Sequence, residues 1–224
     1  MRAADSARVV HLCACSQARI FAHKWPTHAL RLTQALCENA MSDKTYILVD
    51  GENLLFRYQA MLDAGRTPSA GIQHAVGKYV WCKHISMNHT SQVARVTYYT
   101  TQHGDADKII ALKKEISEIS YAYCSQYDIQ GRGSLNPKIF KKTGRSRGTK
   151  SVDINMCIDS MRHTASQGLT TVSLVTGDGD FLPLIEELMR QGVNVQVQAL
   201  SDGCNPNLVH TPDAFVNLDR YFFS

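Results

Sequence analysis

Tyr46–Val49 is a run of four apolar residues that stops on Asp50-Gly51, and it constrains the fold more than any other feature of the chain. An unbroken apolar run ended by a turn dipeptide reads as a strand covered on both faces. Such strands belong to parallel sheets with helices above and below. The rest of the chain repeats the alternation. A helical stretch over Asn53–Leu62 follows, and a second is expected over Ile72–Met87. Val93–Thr100 is rich in β-branched and aromatic residues and reads as a strand. Asp105–Ile119 places Ile109, Leu112, Ile116 and Ile119 at spacings of three and four, an amphipathic helix. Tyr121–Ile129 is expected to be a third strand, Ser151–Ala165 a helix and Thr171–Thr176 a strand. Asp180–Gln191 reads as a helix closed by Gly192. Val193–Ala199 alternates apolar with polar, which suits an edge or half-buried strand, and Ala214–Leu218 adds a last short one. Short strands separated by helices predict an α/β fold with a mostly parallel central sheet, doubly wound, its helices on both faces. In such sheets the ligand site lies beyond the carboxyl ends of the strands.

Composition narrows the class. With 44% hydrophobic and 20% charged residues among 224, the chain has enough apolar content for one sizeable core, which excludes disordered and fibrous classes. No stretch approaches 18 consecutive apolar residues, so no membrane-spanning helix is expected. The seven cysteines include no CxxC pair, which argues against a zinc knuckle or disulfide framework. They read as free thiols of a cytoplasmic protein. Residues 1–40 differ in character, with five basic and two acidic side chains and no strong period. They read as an N-terminal extension upstream of a start at Met41, with 41–224 as the domain.

Four acidic residues, at three places, coincide with expected strand ends or helix starts. Asp50 ends the first strand, Asp178 and Asp180 sit in the Gly177–Phe181 turn after Thr171–Thr176, and Asp153 opens a helix after Lys150. Each has a local explanation: a strand-ending turn, a helix cap, or a carboxylate on a helix dipole. Together they imply more, because carboxylates gathered on one sheet rim repel unless something neutralises them. Oxygen-only acidic pockets suit Mg²⁺ or Mn²⁺, which in phosphodiester hydrolysis activate water and clamp the phosphate.

The segments ILVDGENLLF, KSVDINMCIDSM and VSLVTGDGDFLPLIEELMRQGVNVQV resemble, in order and spacing, the NYN domain of the LabA/DUF88 group, within the PIN-like nuclease superfamily. The likeness spans residues 44–218. It implies a Rossmann-like PIN fold and metal-dependent ribonuclease chemistry. The metal-binding acids map onto Asp50, Asp153, Asp178 and Asp180, with Asn53 beside them. Asp159 lies six residues past Asp153, about 120° round a helix, so it is expected to face solvent or support the site from behind.

Lys138, Lys141, Lys142, Arg145, Arg147 and Lys150 form an acid-free run that leads into Asp153, and Arg132 precedes it. Read as a mobile loop beside the acids, it offers phosphate-backbone contacts, above all through Lys150, Arg145 and Arg147. Thr176 is expected to orient water or a carboxylate. Tyr98, Tyr99, Tyr121 and Tyr123 are expected in the core, and the histidines have no paired ligand spacing.

These features point to an endoribonuclease acting on single-stranded RNA with Mg²⁺ or Mn²⁺. The alternative is a catalytically silent RNA-binding or regulatory protein on the same fold. A haloacid-dehalogenase phosphatase would need a second Asp two residues after Asp50, where Glu52 stands, and a dinucleotide-binding domain would need GxGxxG where Gly51 stands alone. The edge expected at Val193–Ala199 offers a homodimer surface.

Overall fold

The computed structural model describes residues 43–89, 91–124, 130–142, 150–166 and 168–224. Six strands make the central sheet: β1 (Lys44–Asp50), β4 (Gln92–Gln102), β7 (Asn136–Lys141), β8 (Leu169–Val175), β9 (Asn194–Ala199) and β10 (Ala214–Asn217). Their order is β10-β9-β8-β1-β4-β7, and every pairing is parallel. The chain therefore starts in the middle, winds outward to β7, returns to β8 beside β1, and winds outward the other way. That reversal puts a topological switch point between β1 and β8, where the crevice of a doubly wound sheet opens.

Alternation along each central strand divides the core in two. Ile47 and Val49 of β1, with Val96 and Tyr98 of β4, face one layer. That layer is covered by α1 (Gly51–Asp63), the short α2 (His84–Met87), α3 (Ala106–Ser117) and the C-terminal α7 (Asp219–Phe222). Leu48, Tyr99, Val172 and Leu174 face the other. It is covered by α4 (Lys150–Thr164), α5 (Leu182–Arg190) and α6 (Asn207–His210). A continuous apolar run is thus what a strand with helices on both faces requires. Helix α5 ends in paired bonds, Gly192 N–H to the Met189 carbonyl at 2.9 Å and Val193 N–H to Leu188 at 3.1 Å. Gly192 takes the left-handed conformation this cap needs, at φ +80°.

The structure corrects four expectations. Residues 72–87 form no long helix: β2 (Gln73–Ala75) and β3 (Tyr79–Trp81) make an antiparallel hairpin ahead of α2. Gly71 and Gly77, at φ +88° and +68°, set its turns. The strand expected at Tyr121–Ile129 is β5 (Ser120–Cys124), which pairs with β6 (Gln130–Ser134) in a separate two-stranded sheet, and residues 125–129 lie outside the described residues. The third strand of that half of the central sheet is β7, inside the run read as a basic loop. Finally, Val193–Ala199 is no edge, because β9 lies between β8 and β10. Its polar alternation has another cause. Gln198 is fully buried, and its amide Nε2 reaches the Ile85 carbonyl and Ser173 Oγ, both at 3.0 Å. A dimer surface along β9 is thereby removed.

Tyr98, Tyr99, Tyr121 and Tyr123 are all buried. Among the described residues no helix is long and apolar enough to cross a membrane. Residues 1–40 and Met41 lie outside the described residues.

Candidate functional site

Asp50 is both the last residue of β1 and the N-cap of α1. It is 4% exposed, and its Oδ1 accepts the Asn53 N–H at 3.0 Å. The other oxygen accepts the Thr176 hydroxyl at 3.2 Å. Thr176 follows β8 directly, and its Oγ accepts the Asp178 N–H at 3.1 Å. Asp178 Oδ1 in turn accepts the Asp180 N–H at 3.0 Å, capping a 3₁₀ turn over Gly179–Phe181. Asn53 closes the circuit by accepting the Gly177 N–H on its Oδ1 at 3.0 Å. The ends of β1 and β8 are therefore tied across the switch point by alternating main-chain and side-chain bonds. A close approach at Gly51 keeps this geometry. A Cβ there would overlap the Tyr98 ring and stand 2.7 Å from the Tyr99 carbonyl oxygen.

A cavity of about 730 Å³ opens over these strand ends. Asp50, Glu52, Asn53, Asp153 and Asp178 line it together with Phe56, Gln59, Lys78, His103 and Lys142. Asp153 comes from the first turn of α4. Burial pushes the Asp50 carboxyl up to about 7, against the two hydrogen bonds that favour its anion, and the Asp153 charge raises it further. Asp153 is also raised, by burial first and then by the charges of Asp178, Glu52 and Asp180. Among the described residues no cation is in an ion pair with Asp50, Asp153 or Asp178.

The expected residues are only partly gathered. Asp50, Asn53, Asp153 and Asp178 line the cavity, and Thr176 stands behind Asp50. Asp180 is exposed and contributes no wall of the cavity; Asp178, not Asp180, caps the turn. Arg145 and Arg147 lie outside the described residues, as does the side chain of Lys150. Of the remaining basic run, Lys142 pairs with Glu52 at 3.0 Å and Lys138 with Asp159 at 2.5 Å, so neither is a free loop cation. Asp159 is buried rather than solvated, and it also accepts the Tyr99 hydroxyl at 2.5 Å. Sequence reasoning missed Glu52, whose carboxylate faces the cavity and bonds Thr101 and Lys142. Its place in a helix first turn is where any acidic residue suits the dipole, so nothing in the sequence marks it.

The donor set is all oxygen, which suits a hard divalent cation. Among the described residues no three acidic, histidine or cysteine side chains form a ready metal-holding group. The acids share a cavity instead, an arrangement compatible with Mg²⁺, which keeps several waters and takes one or two carboxylates plus substrate oxygens.

The chain is similar in structure to a protein of unknown function from Vibrio parahaemolyticus, with a TM-score of 0.50 and 17% identity over 82% of this chain and 98% of that one. At that identity the likeness speaks for the fold alone. Among curated proteins none matches the sequence. The NYN domain family model, in contrast, matches residues 44–223, which takes in every central strand and every acid of the cavity. The chain belongs to the NYN-domain family, a nuclease-type family of the PIN-like superfamily.

Proposed function

We propose that this chain is a metal-dependent endoribonuclease that hydrolyses RNA phosphodiester bonds over the carboxyl ends of β1 and β8. The observation that carries the reading is the shared cavity of Asp50, Asp153 and Asp178, where burial and mutual repulsion raise the first two. A site that stores repulsion of this kind gains most from a cation. Mg²⁺ or Mn²⁺, when bound, supplies Lewis-acid polarisation of a phosphoryl oxygen and acidifies water.

The chain's own residues supply the rest. One or two of Asp50, Asp153 and Asp178 would hold the cation directly and the remainder through its waters, with the charge of Asp180 adding to the field at Asp153. The Asn53 N–H and the Thr176 hydroxyl fix both oxygens of Asp50, so that this carboxylate meets the cation in one orientation. Lys150, three residues before Asp153 at the start of α4, takes up RNA phosphate together with Arg145 and Arg147. Asn53 keeps the β8 turn in place through Gly177.

The test is cleavage of a fluorescent single-stranded RNA in Mg²⁺ or Mn²⁺, against EDTA and against Asp178→Asn. Cleavage that needs metal and is lost in the variant supports the proposal. RNA binding without cleavage by the pure protein favours a silent RNA-binding role, and unchanged cleavage by Asp178→Asn overturns the site.

A further inference from the structure

The lining of the cavity carries a feature that the proposed chemistry does not use. Helix α1 packs Leu54, Tyr58 and Met61 into the core and turns another face to the cavity. On that face Glu52, Phe56 and Gln59 follow each other at spacings of four and three, so they form one stripe along the wall. Phe56 is 65% exposed, and it is the one aromatic among the exposed large hydrophobic residues described. An isolated exposed aliphatic side chain is ordinary, but a phenyl ring in the wall of an acidic cavity is not explained by packing.

Two neighbours shape the place around the ring. The Arg57 guanidinium lies over it, 5.4 Å from the centroid, and is itself held by Asp202 at 3.5 Å. Gly77 and Lys78 from the β2–β3 turn also line the cavity, and Val76, next to them in sequence, is 81% exposed. The lining thus joins apolar side chains to acidic ones. Phosphate approaches these acids only across a bound cation, whereas an uncharged base needs none, and every base offers a π-face to an aromatic ring.

We propose that Phe56, in the lining it shares with the β2–β3 turn, forms a nucleobase subsite that stacks one unpaired base of the RNA whose phosphate lies over Asp50 and Asp153. The inference rests on reading the cavity as an RNA site and names the side chain that would hold a base of the strand. A base within a duplex is already stacked on both faces, so a ring that must take one selects single strands.

The experiment measures binding of a short single-stranded RNA carrying 2-aminopurine, in Mg²⁺ on ice, with the oligomer's integrity checked on a gel. Stacking on Phe56 quenches the 2-aminopurine fluorescence. Phe56→Ala is expected to abolish the quench and to weaken binding by about 5- to 150-fold, the range for one lost base stack. Phe56→Trp is expected to keep both, and its circular dichroism and that of Phe56→Ala should match the wild type, because the side chain is exposed. Equal affinity and equal quench in Phe56→Ala overturn the subsite, as does equally tight binding of a blunt RNA duplex, or no RNA binding by the wild type. Binding and quenching that depend on Phe56 without any cleavage leave the subsite standing and overturn only the hydrolase.

Discussion

Asp50→Asn should make the metal-free protein more stable while removing its cleavage activity. The carboxyl is 4% exposed and is pushed from the ordinary 3.8 up to about 7, chiefly by burial. An acid whose folded value is raised binds protons better in the folded state, so folding stability is complete below the unfolded value and declines as pH rises toward the folded one. For Asp50 that window runs from about pH 4 to about pH 7. The ionised side chain then costs the fold about 4 kcal/mol at pH 8, at 1.36 kcal/mol per pH unit. Asparagine removes the charge but not without loss. Its Oδ1 still accepts the Asn53 N–H, while its amide now faces the Thr176 hydroxyl, which already accepts from Asp178. Subtracting about 1–2 kcal/mol for that mismatch leaves a gain of about 2 kcal/mol at pH 8. For a domain of this size the gain amounts to about 4–8 °C in Tm. Thermal melts in EDTA at pH 8 and pH 4 read it directly, and the difference between variant and wild type should vanish or reverse at the lower pH. Added Mg²⁺ should raise the wild-type Tm and leave the variant's unmoved. An Asp50→Asn protein that is less stable than wild type at pH 8 would refute the claim that this carboxylate is strained by burial.

Gly51→Ala should lose about 1–2 kcal/mol in urea titration despite alanine's better helix propensity, because the new Cβ meets the buried Tyr98 ring and the Tyr99 carbonyl. A stability equal to wild type would show that β4 can yield there. His89 gives a pH dependence of opposite sign to Asp50. Burial lowers it to about 4, so the folded state resists the proton that the unfolded chain accepts, and stability falls as pH drops through the window from about 6.5 to 4. The loss is about 3 kcal/mol; His89→Gln should flatten that part of the profile, and an unaltered profile would assign the loss elsewhere. Asp159→Ala should cost about 2 kcal/mol or more, since it leaves the Tyr99 hydroxyl buried without its acceptor and Lys138 without its partner. Denaturant melts measure this, and a change within 0.5 kcal/mol, roughly the range of an ordinary surface substitution, would contradict the contact.

The parts of this fold that the sequence shows are those whose burial pattern follows from local rules. A strand covered on both faces must be apolar throughout, so β1 and β8 stand out, and the acids at their ends stand out with them. The parts it conceals obey rules that look like those of other elements. β7 reads Asn-Pro-Lys-Ile-Phe-Lys, which resembles a basic loop, yet proline and lysine are what an edge strand carries to block further pairing. β9 shows the converse: its glutamines suggest an exposed edge, but Gln198 is buried because Ile85, His89 and Ser173 supply it with partners from distant parts of the chain. The exposure of Phe56 is equally invisible, since an apolar residue on a helix is expected to face the core.

The same division runs through the site. Asp50 and Asp178 are set by the switch point, a property of strand order, and any sequence with this alternation places them together. Asp153 is different, because it reaches the cavity from a helix lying across the sheet, and its position depends on how that helix is seated. Val152 and Met156 anchor α4 on the core beside Asp153. Further along, Asp159 fastens it to β4 through Tyr99 and to β7 through Lys138. The two carboxylates, six residues apart, thus divide the labour of one helix: the first faces the cavity and the second grips the sheet. Nothing local marks the second role, because the partners of Asp159 lie 60 and 21 residues away.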